Sequence, residues 1–180
     1  MHSDLRSDVC IEYYYISCGD DVISIKIGWD EYGINYRCPS CNIIIYQVIG
    51  KTCKFFYRDL GSEISGDIKC VHAQDLLIFN LRRIVRIKIA PGIDNYVKDI
   101  YISNVTMKNA SVSIIFIGLY GEHINDRYDP NSLPYIQRII FKDILVDENT
   151  IVGSVEGIQN AFSKNIFLPK IPVNVISDPS

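Results

Sequence analysis

One spacing recurs six times along the chain: a β-branched residue, then apolar or aromatic residues two, five and seven positions later. The copies are Val9, Ile11, Tyr14, Ile16; Ile43, Ile45, Val48; Val71, Ala73, Leu76, Ile78; Ile100, Ile102, Val105, Met107; Ile139, Phe141, Ile144, Val146; and Ile166, Leu168, Ile171, Val173. Only the second copy lacks its last member, where Gly50 stands. Simple alternation fails between the second and third members, as expected where a strand bends or bulges and resumes with its inward face restored. Each copy therefore reads as two short strands around a corner.

Successive copies start 34, 28, 29, 39 and 27 residues apart, which describes a fixed rung with loops of variable length. A second apolar stretch follows four of them, at Val22–Ile25, Ile84–Ile89, Val112–Ile117 and Val152–Val155. Composition supports strands: 32 Ile and 13 Val stand against 4 Ala, a balance that disfavours helices. Rungs of two or three short strands stacked in parallel predict an all-β chain, a right-handed parallel β-helix. A β-sandwich also has many short strands but gives no reason for one spacing to recur six times. The 180 residues are thus expected to form a single β-helix domain of about six rungs. The first copy begins by Val9 and only Asn174–Ser180 follow the last, so the domain reads as incomplete at both termini.

The formal charge of −3 gives no general attraction to polyanions, so no nucleic-acid partner is expected. Apolar runs are far shorter than the roughly 20 residues that span a bilayer, so no membrane partner is expected either. Met1–Asp8 is polar and lacks the basic-then-apolar pattern of a secretion signal; either the chain is not exported or its start is missing. Six cysteines fall within the first 70 residues in no evident pairing.

Stacking in register turns residues of equal phase into ladders. Counted from the first anchor of each rung, Asp20 and Asp21 fall at +11 and +12, Phe56 at +13, Arg86 and Lys88 at +15 and +17, and Tyr120 at +20. An acidic doublet after Gly19 is more often a turn than a site. In one cleft, however, two carboxylates do not ionise independently, and a nearby cation separates an acid from a base, the arrangement that glycoside hydrolysis uses. Arg86 and Lys88 alternate along a strand, so they share a face about 7 Å apart and can clamp a carboxylate-bearing sugar. The bland alternative is that Arg82, Arg83, Arg86 and Lys88 form a solvated sheet face.

These residues sit in segments that resemble the plant polygalacturonases, glycoside hydrolase family 28: GDDVISIKIGWDEYGINY (19–36), GSEISG (61–66), RRIVRIKIAPG (82–92), YISNVTMKNASVSI (101–114) and GLYGEHINDRYDPNSLP (118–134). The resemblance covers nearly the whole chain. It implies a right-handed parallel β-helix that hydrolyses α-1,4 bonds of galacturonan, the pectin backbone, with inversion. It also implies no cofactor, no metal, a secreted cell-wall location and a monomer. The family's Asp-Asp motif falls on Asp20, resembling the general acid, and Asp21, one of the carboxylates that activate water. Its Arg-Ile-Lys motif falls on Arg86, Ile87 and Lys88, whose cations would bind the sugar carboxylate, and Tyr120 matches a substrate-binding Tyr.

Inversion requires acid and base about 6.5–9.5 Å apart, so adjacent Asp residues do not suffice. The family supplies a further Asp from an Asn-Thr-Asp motif, expected a few residues before Asp4. Its Gly-His-Gly motif would fall around Phe56 and Tyr57, two bulky aromatics that stand to block a sugar subsite. The alternative to hydrolysis is therefore an inactive β-helix that at most binds pectin. A pectate lyase would need a calcium-binding carboxylate cage that the sequence does not show. Cys38-Pro-Ser-Cys41 has no second ligand pair, and His72 and His123 lack partners at metal-ligand spacing. Asn104-Val-Thr and Asn109-Ala-Ser are glycosylation sequons if the chain is exported.

Overall fold

The computed structural model describes residues 2–4, 7–18, 22–26, 39–52, 67–80, 83–88, 96–109, 112–117, 131–147, 151–156, 160–168 and 173–174. Among them there are only strands: β1 (His2–Asp4), β2 (Ser7–Glu12), β3 (Tyr15–Cys18), β4 (Ser24–Lys26), β5 (Ser40–Thr52), β6 (Ile68–Phe79), β7 (Arg83–Lys88), β8 (Tyr96–Lys108), β9 (Val112–Ile117), β10 (Tyr135–Asp147), β11 (Ile151–Glu156), β12 (Phe162–Phe167) and β13 (Val173–Asn174). The main sheet runs β12-β10-β8-β6-β5-β2, with β3 also on β5 and β13 also on β10. A second sheet runs β11-β9-β7, and β1 pairs with β4. Every pairing is parallel, and from β6 to β12 the described strands alternate between the main and second sheets, which makes the molecule a parallel β-helix.

The repeat is the register. Val9, Ile43, Val71, Ile100, Ile139 and Ile166 pair in one continuous column, about 4.8 Å per rung. Ile11, Ile45, Ala73, Ile102 and Phe141 form the next, and Val48, Leu76, Val105 and Ile144 the third. These columns make up most of the buried core, in which each fully buried side chain contributes about 1.5–3 kcal/mol. Two anchors depart from the expected inward placement: Tyr14 is 51% exposed and Leu168 47% exposed. Both lie on the first or last rung of the main sheet, which has a described neighbour on one side only.

The corner between the second and third anchors has a specific cause. Tyr13, Gln47, Asp75, Asn104 and Asp143, each four residues after its first anchor, all have φ between 49° and 60°. One left-handed residue inserts between two pleated stretches and resets which parity faces inward, so the hydrogen-bonded strand continues through the bend. A second such column lies one residue before the first anchor, at Asp8, Asn42, Cys70, Asp99, Arg138 and Asn165. Asn80 and Asn109 begin a third.

Neighbouring corner residues bond one another. Asn42 donates to Asp8, Asn104 to Asp75, and Asn109 to Asn80; the Arg138 guanidinium donates to both carboxylate oxygens of Asp99. Asn104 and Asn109, read above as sequons, thus have a structural role at corners, where Asn tolerates positive φ.

Candidate functional site

The second sheet carries the part of the site that the described residues reach. β7 pairs with β9 so that Arg86 opposes Ile115 and Lys88 opposes Ile117; β9 pairs with β11, adding Ser154 and Glu156 to the two columns. These are the +15 and +17 phases counted from the first anchors, and Ser24 and Lys26 of β4 have the same phases by count. Residues of equal count from the first anchor are thus register partners on β7, β9 and β11. Ile87, between the two cations, packs on the main core. Strand alternation gives positions 86 and 88 the opposite parity, so they occupy the outward register positions of β7.

Asp20, Asp21 and Tyr120 lie outside the described residues, as do Phe56, Tyr57, His123 and Cys38. What flanks them is defined. The residue after Asp21 is Val22, which is buried and packs with Ile78, Ile16, Cys18, Ile23 and Leu76 in a small apolar cluster of its own. Gly50 explains this arrangement. It stands where the second copy lacks its fourth anchor, and a Cβ there would come within 2.8 Å of Val22 Cγ1 and 2.9 Å of Ile78 Cδ1. The missing side chain leaves the space that Val22 enters. The sequence signal for this packing was the gap in an otherwise regular repeat. On the other side, Tyr120 follows Ile117 by three residues, and Ile117 is the column neighbour of Lys88.

The weaker candidates find no joint site. His72 is exposed and leans on Tyr101, ring centroids 5.8 Å apart. Cys10, Cys41 and Cys70 are free thiols, and among the described residues no three His, Cys, Asp or Glu side chains group as metal ligands. No described helix is long and apolar enough to cross a membrane.

No family model matches the chain, and no solved structure matches it. A curated relative does: a probable polygalacturonase from Vitis vinifera is 35% identical over 178 residues, covering 97% of this chain. The chain spans 36% of that relative's length. An uninterrupted stack of parallel rungs, a cationic pair in phase on its second sheet and this end-to-end similarity agree, and the chain is a polygalacturonase-like parallel β-helix.

Proposed function

We propose that this chain carries a pectin-directed hydrolytic site of the polygalacturonase kind. The observation that carries the reading is the 35% identity sustained over 97% of the chain to a probable polygalacturonase, a length that includes every candidate residue. In this reading Asp20 is the general acid that protonates the leaving glycosidic oxygen, and Asp21 contributes to activating water on the opposite face of the sugar. Arg86 and Lys88 hold the galacturonate carboxylate, one as a planar fork and the other as a compact charge, and Tyr120 contacts the sugar ring. By sequence count Asp20 follows the first copy of the repeat and Arg86 the third, and in this reading a short stretch of galacturonan bridges the two. The chain works as a monomer outside the cell, on wall pectin.

A second reading is a β-helix that binds pectin without cutting it. It is favoured by Phe56 and Tyr57, aromatics at the positions where the resemblance leads one to expect Gly-His-Gly. Reducing-end release from polygalacturonate separates the readings. The hydrolase reading expects saturated products, no calcium requirement, and a loss of about 10²–10⁴-fold in Asp20→Asn. Binding with no release in the parent protein establishes the second reading, and unsaturated, calcium-dependent products would falsify both.

A further inference from the structure

The main sheet has an outward column that neither the core nor the candidate cleft uses. Two residues before the first anchors, Ser7, Cys41, Lys69, Lys98, Gln137 and Lys164 follow one another in register on successive strands. Three of the six are lysines and none is an acid, in a chain of net charge −3. Lys69 and Lys98 are direct partners on adjacent strands, an arrangement in which like charges repel. Among the described residues no carboxylate forms an ion pair with either of them or with Lys164. Two acids stand nearby: Asp99, paired with Arg138 and also felt by Lys98 and Lys69, and Asp67, which accepts from the Tyr96 backbone N–H. Beside the lysines, Tyr96 and Tyr135 are register partners, and the Lys98 ammonium lies 4.0 Å from the Tyr96 ring centroid.

We infer that this face is a second attachment surface for an acidic polysaccharide, in a different sheet from the Arg86 and Lys88 cleft. The charge complementarity is specific. Cations recur along a straight column at one and then two rung spacings, about 5 and 10 Å, which matches a polymer carrying a carboxylate on every sugar. Adjacent tyrosines supply ring faces for sugars, and Gln137 supplies amide hydrogen-bonding groups between Lys98 and Lys164. A ligand of this charge relieves the repulsion that the fold leaves between Lys69 and Lys98. The surface lets a soluble protein stay on its polymer between encounters at the cleft, as two linked weak sites do. The inference rests on the galacturonan reading for the identity of the polymer, and not for the existence of the surface.

The test compares two charge-removed variants of the full chain, Lys69→Gln/Lys98→Gln/Lys164→Gln and Arg86→Gln/Lys88→Gln, by affinity electrophoresis in polygalacturonate. The triple variant is expected to bind about tenfold more weakly than the parent, with a shallower salt dependence. Its melting temperature is not lowered, and its cleavage of short oligogalacturonides is unchanged. Parent-like binding by the triple variant, with loss only in Arg86→Gln/Lys88→Gln, overturns this surface and leaves the proposed function standing. Loss only in the triple variant supports the surface and removes the cleft. A sulfated polysaccharide or polyglutamate that competes as well as polygalacturonate, charge for charge, marks a generic anion patch and also overturns the inference.

Discussion

Arg138 and Arg86 are both arginines on strands of the same stack, with opposite surroundings. On the main sheet the corner residue Arg138 has Asp99 beside it on the next rung and makes a two-pronged ion pair. On the second sheet Arg86 has Ile115 as its β9 neighbour, and Lys88 has Ile117, which neither accept a hydrogen bond nor carry charge. Four pairs of polar residues along the main-sheet corners bond between rungs, whereas the β9 register partners of Arg86 and Lys88 are isoleucines. Under the proposed function, stability belongs to the main sheet and chemistry to the second.

The largest effect that tests this division belongs to the core. Ile139 is fully buried in the middle of β10, so Ile139→Ala should cost about 2–5 kcal/mol of stability in denaturant titration. Leu145, on the same strand but 41% exposed, should change stability by no more than about 0.5 kcal/mol when cut to Ala. Similar losses for both would mean that the main sheet is not held by its inward columns.

Next come the cations. Arg86→Gln and Lys88→Gln should each lower kcat/KM on polygalacturonate by about 10- to 100-fold, the worth of a hydrogen bond to a charged group. Their melting temperatures should match the parent's. Arg138→Gln should do the reverse, lowering the melting temperature and leaving kcat/KM unchanged. A melting loss in the β7 variants, or an activity loss in Arg138→Gln, erases the distinction between the two arginines.

Gly50 connects the two regions, because the space it leaves in the main sheet admits the residue next to the acidic pair. In Gly50→Ala the new methyl group meets both Val22 methyls, 2.8 and 3.0 Å from its Cβ position, and Val is stiff at χ1. The expected destabilisation is about 1–3 kcal/mol, accompanied by a fall in kcat at temperatures where the protein remains folded. Stability lost with kcat intact would show that Val22 does not position Asp21.

The repeat was readable because burial imposes it: a column such as Ile43, Val71, Ile100 and Ile139 tolerates only apolar residues, so the spacing survives in the sequence. The bend between the second and third anchors was readable for the same reason, since inward parity changes there. The residue that makes the bend was not. Asn104 and Asp75 are familiar at positive φ, but Tyr13, Gln47, Cys70 and Arg138 adopt the same conformation without any such preference. There the stack imposes the backbone and the local sequence follows. Arg86 and Lys88 were placed by counting because strand pairing keeps phase from rung to rung. Gly50 was seen only as an exception, since its purpose lies in Val22, a residue 28 positions away in the chain.

The smallest effect concerns Asp99, and it sharpens the comparison through pH. The hydrogen bond from Arg138 is the main reason its carboxyl lies below the ordinary carboxylate range; partial burial opposes it, and Lys98 and Lys69 add to the lowering. A carboxylate whose pKa is lower in the folded than in the unfolded chain stabilises the fold above the unfolded value, about 3.9, and that contribution fades as pH falls toward the folded value. Asp99→Asn should therefore melt slightly below the parent at neutral pH, with the gap closing below about pH 4 and narrowing in high salt, because the pair is partly exposed. Cleavage of oligogalacturonides at neutral pH should not change. A gap that persists into acid would mean that the corner depends on the shape of Asp99 rather than its charge, and the contrast between Arg138 and Arg86 would then rest on packing alone.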